Sequence, residues 1–359
     1  DVIYNPTDKI RTNAIFMTSS IDQGLVNPYS TSGEAFRLRF TSSPRKGRWH
    51  DIGLFYFDEN IDINDMGYQM LNNWMFLGAQ NGFKFTDFDA SSILQSNEFE
   101  FGVGVESNAD LDKSWNFTYL TYKSTFKNTS FFEFTNFYRT SGKDFWITRN
   151  NIEAPYINRP ENYGTLLNFK GPSQEFFNYF LEAKREKGSQ WSSASGFATS
   201  YATQLQFAPR DNLNFSLYYQ HLDEDGWVNW IQDNLLGVYT KKQRTTVAGI
   251  NWFGGDKHEL RIKAQMVSFI ATTPKAVLGD AYGNLNSIDI ALTPINLSDL
   301  AFQIRYRYEI LPLAYLYVVY SKGGRIVETD EEEDLGKLYQ RPWNDPQADN
   351  FTVKVRYRF

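Results

Sequence analysis

Charged side chains in this sequence recur at every second position. Glu259, Arg261 and Lys263 alternate with Leu260, Ile262 and Ala264, while Arg305, Arg307 and Glu309 alternate with Ile304, Tyr306, Tyr308 and Ile310. Lys354, Arg356 and Arg358 interleave with Phe351, Val353, Val355, Tyr357 and Phe359. Arg37 and Arg39 fall between Phe36, Leu38 and Phe40, and Glu98 and Glu100 beside Phe99, Phe101 and Val103. A period of two puts the charges on one face of a β-strand and the apolar residues on the other. If that face lines water inside a barrel, these residues meet there, together with Glu182 and Glu186. A cationic stripe opposite an acidic wall then selects small charged or zwitterionic solutes. A plainer reading of the same residues is a ladder of opposite charges that stabilises a hydrated wall.

Other chemistry has thinner support. The only histidines are His50, His221 and His258, and no G-x-S-x-G element or Gly-rich phosphate loop accompanies them. Cysteine is absent, which excludes disulfides, thiolate zinc sites and cysteine nucleophiles. No enzymatic activity and no cofactor are therefore expected. Asp58, Asp62, Asn64 and Asp65 make an oxygen-rich stretch of the kind that holds Ca²⁺, but without EF-hand spacing. The run 328–334 repels itself and reads as a mobile, solvated loop tip, with a weaker reading as a contact to divalent ions bridging lipopolysaccharide. Trp146, Trp227, Trp230 and Trp343 fall in long polar segments, suited to sugar stacking, to plugging a lumen or to the headgroup region. A net charge of −6 with scattered Lys and Arg gives no reason to expect nucleic acid.

The elements that must position these residues are strands. Alternation marks about sixteen, near 11–20, 34–43, 47–57, 72–86, 97–108, 114–126, 129–140, 161–171, 175–187, 196–208, 212–222, 242–253, 257–270, 298–310, 313–323 and 350–359. Tight links at 43–47, 126–130, 171–175, 208–212, 253–257 and 311–314 carry the Gly, Pro, Asn and Asp that turns require. Longer polar segments lie near 20–33, 58–72, 141–161, 221–241, 271–297 and 323–349. Two architectures accept such strands: a soluble sandwich or solenoid with the apolar face as core, and a closed antiparallel transmembrane barrel. Strand length favours the barrel, because crossing a bilayer at a tilt takes about 9–11 residues whereas globular strands peak near 5–6. The alternation of short turns with long loops, and aromatics such as Phe207, Trp252, Tyr306 and Tyr308 near strand ends, point the same way. Closure also removes the exposed edge of so large a sheet.

Composition agrees. Aromatics are 17% of the 359 residues and charged residues 22%, and no apolar run reaches the roughly 20 residues of a membrane helix. The expectation is one all-β barrel domain over 1–359. The chain starts at Asp1 with neither Met nor a signal peptide, which reads as a mature, processed or fragmentary chain.

The closing strand, with Phe351, Val353, Val355, Tyr357 and a terminal Phe359 on one face, resembles that of Gram-negative outer-membrane proteins. In that class it is the signal read by the barrel assembly machinery. The segments 60–68, 300–324 and 351–359 are similar to the C-terminal barrel of a poorly characterised outer-membrane family. Its longer members carry a family-9-like carbohydrate-binding module before the barrel, and residues 1–359 are expected to correspond to the barrel alone. The resemblance implies the outer membrane as location, lipid and lipopolysaccharide as surroundings, and a preceding portion or another chain as partner. With an even strand count both termini are periplasmic, turns short on that side and loops long outside. The expected function is a channel or translocation component with a charged lumen. The alternative is a plugged, structural or partner-binding barrel anchoring a surface or periplasmic complex.

Overall fold

The structure, a computed structural model, describes residues 2–23, 29–63, 72–149, 151–188, 195–329 and 334–357. Strand makes up 73% of it and the described helix is ten residues long, so the protein is all-β. Among the described residues no helix is long and apolar enough to cross a membrane, which says nothing about strands.

In chain order the elements are β1 (Val2–Thr7), β2 (Ile10–Gln23), β3 (Tyr29–Arg45), β4 (Arg48–Phe57), β5 (Trp74–Phe85), β6 (Leu94–Ser107), β7 (Lys113–Phe126), β8 (Phe131–Arg139), β9 (Gly142–Asp144) and β10 (Ile157–Arg159). There follow β11 (Asn162–Lys170), β12 (Phe177–Lys187), β13 (Phe197–Arg210), β14 (Leu213–Gln232), β15 (Leu235–Gly254), β16 (His258–Gly279), β17 (Leu285–Ser287), β18 (Ile295–Leu311), β19 (Ala314–Glu328), α1 (Leu335–Asn344) and β20 (Ala348–Arg356). Most of the strands belong to one large antiparallel sheet, and β9 and β10 pair separately. The residues group into two compact units, Asp1–Phe126 with Glu133–Thr165 and Gly279–Asn286, and Lys127–Phe132 with Leu166–Leu278 and Ser287–Phe359. Registered ladders run from β1 to β7 in the first and from β12 through β16, β18 and β19 to β20 in the second. These two runs do not by themselves make a closed ring.

In each unit the strands expose apolar side chains on one face. In β6 of the first, Phe99, Phe101, Val103 and Val105 are exposed, while Glu98, Glu100 and Glu106 on the other face are partly covered. In the second, Leu181, Phe207 and Leu217 are exposed while Glu186, Glu224 and Glu259 are buried. A sandwich in water would do the reverse, since burying apolar surface is what drives its folding.

Several stretches expected as loops are strand. β14 and β15 run through 221–241 and turn on Asp233 and Asn234 alone, with Asp233 at φ +45°. β16 continues to Gly279, β18 begins at Ile295 and β19 reaches Glu328. Segments such as LDEDGWVNWIQ carry polar groups on both faces, so the alternation fades although the ladder continues. Two connections also break the expected short and long rhythm: Asn108–Asp112 joins β6 to β7 tightly through an Asn108 N–H to Asp112 carbonyl bond, and 86–93 is longer than a turn. β1, β9, β10, β17 and α1 were not expected at all. In the acidic run, Glu328 ends β19 and ion-pairs with Arg341, and Asp334 caps α1 by accepting from the Gly336 and Lys337 N–H groups at 2.9 and 3.1 Å. Capping uses the unsatisfied donors of a helix start, so both ends of that run are structured.

Candidate functional site: the charged faces of the sheet

In the second unit the basic residues converge on one carboxylate. Residues directly opposite in an antiparallel ladder share a face. Glu259 lies opposite Arg307, Arg261 opposite Arg305, and Lys263 opposite Gln303. Two arginines facing each other repel, and Glu259 resolves the conflict. It is 2% exposed and ion-pairs with Arg261, with Arg305 Nη2 at 3.2 Å and with Arg307 Nη2 at 2.9 Å. The guanidiniums stay about a third or more exposed, so this face presents a cationic surface anchored by one buried acid. The next ladders carry the face onward: Arg307 pairs with Tyr317 and Tyr317 with Lys354, while Glu309 pairs with Tyr315 and Tyr315 with Arg356. Arg307 also stacks over Tyr315 at 5.2 Å. Glu309 accepts from the Leu313 N–H at 3.4 Å and so closes the β18–β19 turn. Arg358 lies outside the described residues.

The first unit's face carries carboxylates beside lysines and arginines and is paved with rings. Glu98 lies opposite Lys84 and Lys123, and Glu100 opposite Gly82 and Thr121. The Trp49 indole N–H donates to Glu98 at 3.3 Å, Lys84 approaches the same carboxylate at 3.9 Å, and the Tyr119 hydroxyl donates to Glu100 at 2.5 Å. These rings lie flat because glycine lies beneath them: a Cβ on Gly82 would sit 2.1 Å from the Trp49 ring, and one on Gly102 2.2 Å from Tyr119. Arg39 Nε meets Asp51 at 2.7 Å, and Arg37 lies over Phe55 at 5.1 Å. Charge pairing within the wall is thus part of the answer in both units. The alternation located Arg37, Arg39, Glu98 and Glu100, but Asp51, Trp49 and Tyr119 were missed. Their signal was the glycine facing each ring across a strand pair, visible only once register is known.

A folded loop covers part of the first unit's face. Trp115 lies opposite Glu106, itself opposite Phe76, which puts Trp115 on the face of Glu98 and Glu100. The Arg159 guanidinium stacks on Trp115 at 4.1 Å and donates to Asp144 at 2.8 Å, both members of the pair being almost fully buried. Arg139 also stacks on Trp115, at 5.2 Å, and donates to Asn162. The loop is held from above as well. The Asn158 N–H donates to the Gly283 carbonyl at 2.8 Å, and Gly283, at φ +78°, leaves no room for a Cβ beside Tyr156. Asp280 shapes this second segment by accepting from the Tyr282 and Asn284 N–H groups at 2.9 Å. The Asn284 and Asn286 amides complete the set, and these bonds, the Asn284 backbone N–H first, hold the Asp280 carboxyl below its ordinary value.

The remaining candidates scatter. Asp58 accepts from the Asn60, Ile61 and Glu34 N–H groups, the Asp62 N–H donates to Ser19, and Asn64 and Asp65 lie outside the described residues. Among the described residues no group of three or more His, Cys, Asp or Glu is placed to hold a metal. His50 meets Asn81, His221 meets Asp223 and His258 meets Tyr306. Trp227 is on β14, packed with Tyr239 and Phe269 beneath Lys241. Trp343 is on α1 against Phe302. Phe351, Val353 and Val355 share one exposed face of β20 and Tyr357 follows, also exposed; Phe359 lies outside the described residues.

Fold and faces together define an all-β protein of long antiparallel strands on which apolar and charged residues alternate between the two faces. The chain belongs to the family described as Domain of unknown function (DUF5916), whose model matches residues 2–359. That description assigns no activity. No curated protein matches the chain.

Proposed function

We propose that this chain is a closed, roughly sixteen-stranded transmembrane barrel of a Gram-negative outer membrane that passes small charged or polar solutes along its charged inner face. The observation that carries the reading is the inverted exposure: phenylalanine, leucine and valine exposed on one face of the strands, carboxylates such as Glu186, Glu224 and Glu259 buried on the other. In a bilayer the exposed apolar band is solvated by lipid, and the covered polar face surrounds water. On this reading lipid and lipopolysaccharide surround the barrel, and the strand carrying Phe351, Val353, Val355, Tyr357 and Phe359 is read by the assembly machinery. Both termini and the tight turns face the periplasm. The test is conductance of the purified chain in a planar bilayer with reversal potential under a KCl gradient. Steady openings are expected, and a folded protein that never conducts would sink the open channel.

One observation favours the second reading, a barrel closed by its own loops. The 140–161 loop rests on Trp115, on the charged face, and is fixed there by a buried ion pair. Silence from wild type that gives way to openings once this pair is removed would select the plugged barrel. A preceding portion or partner chain belongs with that reading.

A further inference from the structure

The charged face of the second unit contains a hollow that none of the ion pairs fills. Above the rung of Arg261 and Arg305 comes Lys263 opposite Gln303, then Gln265 opposite Ala301. Apart from Val247 opposite Gln265, the residues that flank these rungs on the same face are small. Gly249 lies opposite Lys263, Ser216 opposite Gly249, Ser321 opposite Gln303 and Gly323 opposite Ala301. Large side chains around a patch of small ones leave a depression, here about 600 Å³, within the range of sites that hold small molecules. Asn251, Gln265 and Gln303 line it, and side-chain amides both donate and accept.

Its charge is unbalanced. Lys263 lines the hollow and is exposed, and among the described residues it has no ion-pair partner. Arg261 and Arg305, one rung below, share Glu259 with Arg307, so the three guanidiniums nearest the hollow have one carboxylate between them and the Lys263 ammonium adds to their excess. We propose that this hollow is a binding subsite for a small polyhydroxylated organic anion. Its carboxylate is taken by Lys263, with Arg261 and Arg305 at the lower edge, and its hydroxyls by Asn251, Gln265 and Gln303. Chloride engages the charge alone and a neutral polyol the amides alone; a hydroxylated carboxylate engages both.

The inference deepens the channel reading by naming the solute class, and it rests on that reading for its meaning in transport. Its test does not need conduction. The full chain, folded in detergent and giving a heat-modifiable gel band, is titrated calorimetrically with sodium gluconate and, separately, with sorbitol, a polyol of the same length. Saturable gluconate binding is expected, at least about ten-fold tighter than sorbitol, as one charge-assisted contact gives. Lys263→Met should remove about that factor. If Lys263→Met loses the heat-modifiable band, Gln303→Leu takes its place with a smaller loss, and rising chloride should weaken gluconate binding to the wild type. No saturable binding to the folded wild type, equal affinity for gluconate and sorbitol, or no effect of the variants or chloride would each overturn the subsite. A chain that conducts without binding gluconate retains the channel and loses the subsite. One that binds gluconate without conducting retains the subsite and loses the open channel.

Discussion

Glu259 is the residue on which the cationic face depends. Removing one partner of a buried ion pair leaves uncompensated charge, at a cost of ~3–5 kcal/mol when all members are buried. The arginines around Glu259 keep 34–42% of their side-chain surface exposed, so screening reduces this, and Glu259→Gln should lower stability by about 2 kcal/mol. Its denaturant midpoint in detergent should fall while the slope is unchanged. In a conducting protein the same change adds net positive charge to the wall and should shift the reversal potential toward anions. Arg305→Glu with Arg356→Glu should shift it toward cations, and an unchanged potential would take those residues out of the solute path. Across the other unit, Gly82→Ala should displace the Trp49 ring and release its N–H from Glu98, read as a change in tryptophan emission.

At the scale of elements, the 140–161 loop is fastened at two points that fail differently. Asp144→Asn removes the charge that orients Arg159 on Trp115, and the expected result is a freer loop and, if the chain conducts as proposed, larger single-channel steps. The second point depends on Asp280. Its carboxyl is held below the ordinary range by N–H donors, so its contribution is fully present above the usual carboxylate pKa and lost as pH falls through the depressed folded value. The contact of 280–284 with 156–158 should therefore survive at about pH 4, near the ordinary aspartate midpoint, and fail only in stronger acid. Pepsin cleavage at Tyr282 across that range reads it. Cleavage already rapid at the upper end would contradict this role for Asp280. These elements also mark where the sequence was legible. Glu259, Arg261, Lys263, Arg305 and Arg307 were visible because apolar residues alternate with them cleanly. Asp144 and Arg159 were not, because β9 and β10 are three residues each and too short to show a period; Trp115 lies on the legible strand β7, but nothing in the alternation shows that a loop rests on it. α1 was hidden by the acidic run before it, and β1 has no covered face to impose a pattern.

For the whole molecule, the long strands and most of the tight turns between them were readable because register on a one-sided sheet is enforced by its apolar face, whereas the short β1, β9, β10 and β17 were not. Strand ends were not, since above the apolar band nothing in the pattern distinguishes a continuing ladder from a loop. If the strands close into a barrel, unboiled protein should migrate faster than boiled protein in a detergent gel, and identical mobility would count against closure. The β14–β15 hairpin has a consequence of its own. Each arm has 20 residues, whereas about 9–11 suffice to cross a bilayer at a tilt. At about 3.3 Å per residue the surplus is on the order of 30 Å of slanted, hydrogen-bonded ribbon. If the chain spans an outer membrane as proposed, an antibody tag inserted between Asp233 and Asn234 would be displayed to the outside of an intact cell on a stiff stalk, lifted clear of the sugar layer's base.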